Sequence, residues 1–446
     1  MKLTVVGGGG SRTPLLYHGL LQRAAGLSDP AVVLYDTSAR WLQRIRLVLD
    51  GIDEERGGGL PTSTTTDLHE ALDGADFVLT AIRVGGFDAR HWDEAVPLRH
   101  GVVGQETVGP GGFGLALRNV PALRQIAGTV RHRCPDAWLI NLTNPAGLVT
   151  QGLRPLLGDR IVGVCDSPVA LMRRVAHALD LPAGDLHFDY GGINHLGWLT
   201  GAWHRGRDLL PDLLAGDRAE TVEEVRLVGV DRVRALRAIP NEYLYFYERG
   251  GDVVANVAAN GSRGAFLADR RRTLAQVLDG VSTPSQALAA YRADLKRRQD
   301  TYLTVESGMA RTPTADVFSD AGGYHEMALS VVEAIACDTA TIAVVNTRNR
   351  GALPFLPADA VVEVPAVVRA AGVFPLAADV PASQRTLVTQ VKAFEDATLR
   401  AIDAGSRDAA GAALASHPLV PSRAVADAIL AEYAAHVPQM SMWATS

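Results

Sequence analysis

Four consecutive glycines, Gly7-Gly8-Gly9-Gly10, follow the apolar run Lys2–Val6 and lead through Ser11-Arg12-Thr13-Pro14 into the helical pattern Leu15-Leu16, Leu20-Leu21. A turn without side chains lets the backbone approach a pyrophosphate, and the amino end of a helix favours its negative charge. Asp36 closes a second β-branched run, where a carboxylate can accept from both ribose hydroxyls and repel a 2′-phosphate. Gly7, Gly9, Ser11, Arg12 and Asp36 are therefore the expected contacts of a dinucleotide, NAD in preference to NADP. Arg12 is the discordant member, because a guanidinium could pair with a 2′-phosphate.

A second set of residues could do metal or acid–base chemistry. Cys165 ends a β-branched run and is followed by Asp166, and further on comes Asn194-His195. A thiolate and an imidazole suit a borderline divalent metal and leave positions open for substrate oxygens. Spacing alone favours the plainer reading, a buried cysteine acting as a small hydrophobe. Tyr243, Tyr245 and Tyr247 alternate in a pattern that fits packed aromatics on a strand or helix, with a catalytic base as the sharper reading. Arg83, Arg90 and Arg263 could clamp a phosphate or carboxylate, although surface ion pairs give the same letters. His18, His69, His132, His177 and His436 fall on expected helices or turns and need no function.

The elements that must position these groups are legible in outline. Short β-branched runs at 2–6, 32–35, 77–82, 138–142 and 161–164 alternate with helical stretches, which predicts βαβ units and a parallel sheet. Several runs end in small or polar residues, as in Asn141-Leu142-Thr143-Asn144-Pro145, at the strand ends where open α/β sheets bind ligands. After Pro168 the pattern becomes mixed: helices are expected at 169–179, 221–238, 273–278, 326–335 and 385–402, and strands at 343–345 and 361–364. The Pro/Ala-rich stretch 354–381 reads as loop and strand edge. The expected fold class is α/β: a Rossmann-type parallel-sheet domain over 1–166 and a mixed α+β domain over 167–446, as in the lactate/malate dehydrogenase superfold.

The chain has 446 residues, 47% hydrophobic and 21% charged, which is ordinary globular usage and excludes a disordered or fibrous protein. A net charge of -6 without long basic runs gives no footprint for nucleic acid. Three scattered cysteines make no disulfide framework and fit a reducing compartment. The apolar start is too short for a signal core or a membrane span. A cytoplasmic protein acting on a small molecule is expected.

Taken in order, these segments resemble glycoside hydrolase family 4, the NAD- and divalent-metal-dependent glycosidases that include 6-phospho-β- and 6-phospho-α-glucosidases. The likeness runs nearly end to end. It rests on the glycine turn with Ser11-Arg12-Thr13-Pro14, Ile82-Arg83-Val84-Gly85-Gly86 with Arg90, Gly104-Gln105-Glu106-Thr107 and Asn141-Leu142-Thr143-Asn144-Pro145-Ala146. It continues through Gly163-Val164-Cys165-Asp166-Ser167-Pro168, Gly192-Ile193-Asn194-His195-Leu196-Gly197, the tyrosine segment, Gly322-Gly323-Tyr324, Val345-Asn346-Thr347-Arg348-Asn349 and Val362-Glu363-Val364-Pro365. The resemblance implies that Cys165 and His195 hold a metal, usually manganese, and that Arg90, Asn144, Asn194 and Arg263 contact substrate. It implies Tyr243 as the base, twenty residues before Arg263, with Tyr245 as the fallback. It also implies a redox-neutral mechanism, unlike that of two-carboxylate glycosidases: NAD oxidises C3 of the sugar, C2 loses a proton, the aglycone is eliminated, water adds at C1, and C3 is re-reduced. A homodimer or homotetramer is expected with it.

Four features depart from the family pattern. Asp166 stands where the resemblance to β-specific members leads to Asn; an acid there could protonate a leaving group, so it joins Tyr243 as a catalytic candidate. Arg12 stands in place of an aromatic and His325 in place of a small residue, and Asn260-Gly261-Ser262-Arg263-Gly264 lacks the usual acidic run. The expected substrate is a 6-phospho-glucoside, β preferred. The alternatives are the same mechanism on another anionic or α-linked glycoside, or an NAD-dependent 2-hydroxy acid dehydrogenase.

Overall fold

The structure, a computed structural model, describes residues 1–309, 318 and 323–444. Gly322 and the side chain of Tyr324, both part of the Gly322-Gly323-Tyr324 motif, lie outside the described residues. The described strands join in one sheet: β1 (Lys2–Val6), β2 (Ala31–Tyr35), β3 (Thr62–Thr65), β4 (Phe77–Thr80), β5 (Trp138–Asn141), β6 (Ile161–Gly163), β7 (His187–Ile193), β8 (Leu196–His204), β9 (Arg207–Asp208), β10 (Ile239–Pro240), β11 (Thr341–Arg348), β12 (Val361–Arg369) and β13 (Gly372–Pro375). Strands β3-β2-β1-β4-β5-β6 are parallel, in the doubly wound order whose ligand crevice opens at the carboxyl ends, where the order reverses between β1 and β4. Antiparallel strands β11-β12-β7-β8-β10 extend the sheet beyond β6 through the pair Asn346 and Gly163. This is the expected combination of a Rossmann-type sheet with a mixed α+β half.

The two faces follow the strand period of two. Leu3, Val5, Phe77, Leu79 and Ile140 point to one core, whereas Val6, Val78 and Leu139 point to the other. Packing crosses residue 166 without a break: Leu274, Leu278, Leu288 and Tyr291, from helices Arg263–Gly280 and Pro284–Asp300, share a core with Leu3, Val5 and Leu34. The second half thus covers the crevice of the first.

Several elements differ from their sequence-based expectation. The helix expected over 221–238 is broken by Gly229, whose φ of 99° leaves helical space, into Glu223–Val228 and Val230–Leu236. The stretch 354–381, expected as loop and strand edge, contributes β12 to the sheet interior, between β7 and β11. Pro365 is tolerated there because β7 reaches β12 only at Glu363, leaving Pro365 free of a ladder partner on that side. The expected strand 77–82 ends at Thr80, and the tyrosine segment forms the short helix Leu244–Glu248. Among the described residues no helix is long and apolar enough to cross a membrane.

Candidate functional site

The glycine turn lies at the carboxyl end of β1. Gly7 has φ 95°, and Gly7 and Gly8 both donate their amides to the Tyr35 carbonyl at the end of β2. A Cβ on Gly8 would meet Leu34 at 2.7 Å and one on Gly9 would meet Trp41 at 2.7 Å, so the turn lies flat against β2. A Cβ on Gly10 would meet only Gly7 O at 2.9 Å and Ala81 O at 4.0 Å and otherwise project into the crevice. Helix Thr13–Arg23 starts next to it. The Asp36 carboxylate accepts from Gly9 N–H and Ser38 N–H, both at 3.0 Å, which fixes it at the tip of β2. A flat turn, a helix amino end and a fixed carboxylate match what a dinucleotide requires.

Two arginines from the second half reach this turn. Arg271 lies over the Trp41 ring, 3.0 Å from its centroid, and donates to the Gly9 carbonyl at 2.9 Å. Burial pushes its guanidinium down to about 10 against the pull of Asp36. Arg298 donates to Ser11 Oγ at 2.8 Å. Arg12 interacts through its charge with Glu106, His195 and Arg298. Arg271, a residue without any distinguishing sequence signal, thus brings a cation into the field of the Asp36 carboxylate.

Cys165 follows β6 and is 1% exposed. Burial, then the charges of Glu363 and Asp166, push its thiol well up, so a cation is needed to stabilise a thiolate there. The Asp166 carboxylate lies 4.0 Å from its sulfur. His195 occupies the tight turn between β7 and β8 at φ 62°, a left-handed conformation unusual for a residue with a Cβ. Burial pushes its imidazole down to about 3, so the ring is neutral. One ring nitrogen bonds the Thr107 backbone, and Nε2 is buried without a partner. A neutral imidazole with one nitrogen held by the backbone and the other bare is how a metal-binding histidine is presented. Among the described residues no cluster of three or more His, Cys, Asp or Glu could hold a metal by itself. Cys165 and His195 could supply two ligands to a divalent ion.

Tyr243 stacks on His195 with centroids 3.9 Å apart and planes at 19°. Its backbone N–H donates to Asn241 Oδ1, and Asn241 donates to the Tyr190 hydroxyl. Tyr245 points elsewhere, its hydroxyl donating to the Glu306 carbonyl at 3.2 Å. Asn194 is engaged at both ends: it accepts from Gly147 N–H at 3.3 Å and donates to Glu363 Oε1 at 3.1 Å. Asn144 precedes a cis bond to Pro145, and its Oδ1 is buried without a partner.

The arginines gather around carboxylates. Arg90 is held by Glu94 at 3.0 Å, one helical turn away, and by Glu106 at 2.8 Å; Arg83 also pairs with Glu106. Burial pushes Glu106 up, but Arg83, Arg90, Arg298 and Arg12 outweigh it and hold the carboxyl down at about 2. Arg263, 8% exposed, donates to the carbonyls of Thr301 and Arg298 and lies over the Tyr302 ring. His325 packs against Gly19, and its charge neighbours are Glu326, His18, Arg23 and Arg173; two residues before it, Gly323 lies against Asp166.

The structure thus brings Cys165, Asp166, His195 and Tyr243 to one edge and sets the arginines beside them. Glu106, Glu242, Glu363, Arg298 and Tyr302 had no assigned role in the sequence reading. A lone Glu in the β-branched run Val362-Glu363-Val364 was the available signal for Glu363, because a charge inside a buried strand must be partnered. Arg298 lies in Lys296-Arg297-Arg298, which reads as a solvated helix face.

The fold is of the Rossmann type. Malate dehydrogenase from Plasmodium falciparum shares that fold at a TM-score of 0.51 and 13% identity, over 91% of this chain and 99% of its own. The chain belongs to glycosyl hydrolase family 4: residues 2–181 match "Family 4 glycosyl hydrolase" and residues 190–420 its C-terminal domain. It is 31% identical to a Bacillus subtilis (strain 168) protein named "Probable 6-phospho-beta-glucosidase", over 98% of both chains. It is 29% identical to 6-phospho-alpha-glucosidase 1 of Lacticaseibacillus paracasei, over 97% of this chain and 96% of that one. The Thermotoga maritima 6-phospho-beta glucosidase, solved with manganese, NAD+ and glucose-6-phosphate, superposes with a TM-score of 0.83 at 26% identity and 98% coverage of both chains.

Proposed function

We propose that this glycoside hydrolase cleaves 6-phospho-glucosides, β-linked in preference, with NAD and a divalent metal, manganese first, as resident cofactors. The observation that carries this reading is the neutral, buried His195 with its bare Nε2, stacked on Tyr243 at the edge that also holds Cys165 and the glycine turn. Relatives named for both anomers match at similar identity, and the β preference follows the higher of the two, 31% against 29%. Functionally, residues 1–166 form the NAD half and residues 167–446 the substrate and metal half.

When bound, NAD supplies a reversible hydride acceptor for C3 and the metal a Lewis acid beside it. Gly7, Gly9, Ser11 and Asp36 hold the dinucleotide, and Cys165 and His195 hold the metal. Tyr243 takes the C2 proton, and the stack on His195 fixes its ring. Asp166 protonates the leaving oxygen. Arg90 and Arg263 bind the anionic sugar with Asn144, whose buried amide oxygen is free to accept a sugar hydroxyl. Asn194 supports the turn that carries His195. Arg12 acts with Arg298 on the anion side of the crevice. The enzyme is assigned to the cytoplasm as a homodimer or homotetramer.

The test is an assay of α- and β-linked aryl glucosides, with and without 6-phosphate, in the presence and absence of NAD and Mn2+. Cleavage of the phosphorylated β-glucoside that needs both cofactors is expected. Turnover confined to unphosphorylated substrates would overturn the substrate assignment.

A further inference from the structure

Glu242 precedes the stacked tyrosine and is 7% exposed. Its Oε1 accepts from two hydroxyls carried by separate segments of the chain. Ser167 Oγ donates to it at 2.7 Å from the first turn of helix Ser167–Leu179, two residues beyond Cys165. The Tyr302 hydroxyl donates to it at 3.3 Å and is also hydrogen-bonded to the Tyr243 side chain. The face of Tyr302 is covered by Arg263, 5.3 Å from the ring centroid. One carboxylate oxygen thus ties the loop that carries the cysteine to the ring system that carries the base.

We infer that Glu242 is a positioning residue that sets two things at once: through Ser167 the direction of Cys165, and through Tyr302 the direction of the Tyr243 hydroxyl. This inference rests on the reading of Cys165 and Tyr243 given above. Removing either arm should disturb only the group that arm holds, whereas removing the carboxylate should disturb both. Groups that orient metal ligands without touching the metal typically contribute 10- to 100-fold in metal affinity or activity.

The measurement is Mn2+ titration by electron paramagnetic resonance, alongside kcat and KM on a 6-phospho-glucoside, for the full chain and the variants S167A, Y302F, E242A and E242Q. S167A is expected to weaken Mn2+ binding about 10-fold. Y302F is expected to leave Mn2+ affinity within about two-fold and to lower kcat at unchanged KM by about 10-fold or more. E242A should show both losses. E242Q, which keeps an oxygen acceptor for the hydroxyls, should recover most of each, and this rescue separates positioning from a folding defect. Wild-type Mn2+ affinity in both E242A and S167A, or an unchanged kcat in Y302F, would overturn the inference while leaving the proposed function standing. A wild-type protein that binds no Mn2+ would overturn both.

Discussion

Position, and not residue type alone, separates the two candidate bases. Tyr243 caps the short helix Leu244–Glu248 and Tyr245 lies within it, and they point in different directions; one meets His195 and the other the Glu306 carbonyl. Y243F should therefore lower kcat by about 10²- to 10⁴-fold, the usual contribution of a positioned proton acceptor, with KM little changed. Y245F, which loses one hydrogen bond to a carbonyl, should cost less than about ten-fold. Steady-state kinetics of the two variants checks this, and the opposite order would move the base to Tyr245. The family resemblance put Tyr243 first, by its distance from Arg263, with Tyr245 as fallback; the alternating pattern alone carried no order, because ring direction depends on where the helix starts. A related limit concerns Arg271: the letters at the glycine turn offered only Arg12 as a nearby cation, and Arg271 reaches the same turn from a helix far along the chain.

At the scale of elements, helix Gly86–Arg99 carries both Arg90 and Glu94 into the site and is itself anchored by Asp93. Asp93 forms a two-pronged pair with Arg118 of helix Gly109–Arg133, at 2.8 and 2.7 Å, and both side chains are 0% exposed. D93N would leave the Arg118 charge buried without its counter-ion, a loss that typically costs about 3–5 kcal/mol. The denaturation midpoint should fall accordingly, and activity should fall with it, because Arg90 shares that helix. An unchanged midpoint would show the pair to be dispensable. The parallel strands were readable because apolar β-branched runs mark them clearly. Strand β3, Thr62–Thr65, was not, being polar and at the sheet edge. Strands β7 and β8 were hidden by their glycines, which in Gly191 and Gly192 allow close approach to Asp379 and Gly197.

At the scale of the molecule, the second half of the chain supplies Arg263, Arg271 and Arg298 to a crevice built by the first, so cofactor binding and overall stability should be linked. A binding-induced rise in melting temperature with NAD is the expected sign. The chain also contains another buried histidine, His417, which lines one cavity with Asn194 and His195 and whose Nδ1 accepts from Leu419 N–H at 3.1 Å. Burial pushes it from 6.5 down to about 3. The folded state therefore prefers the neutral ring, whereas the unfolded chain protonates near 6.5. The stability this contributes is complete above pH 6.5 and is lost as pH falls from there toward 3. H417Q should flatten that part of the profile of unfolding free energy against pH, and an unaltered acid slope would contradict it.

The central claim is that a borrowed hydride makes C2 acidic, so that Tyr243 can break the C–H bond before the glycosidic bond breaks. It is tested most directly by turning over a 6-phospho-glucoside in D2O with catalytic NAD and Mn2+, following C2 by NMR and NADH by absorbance. The account predicts deuterium at C2 of the released sugar phosphate and no net accumulation of NADH. A product that keeps its original C2 hydrogen, or cleavage that proceeds equally well after NAD is removed, would contradict it.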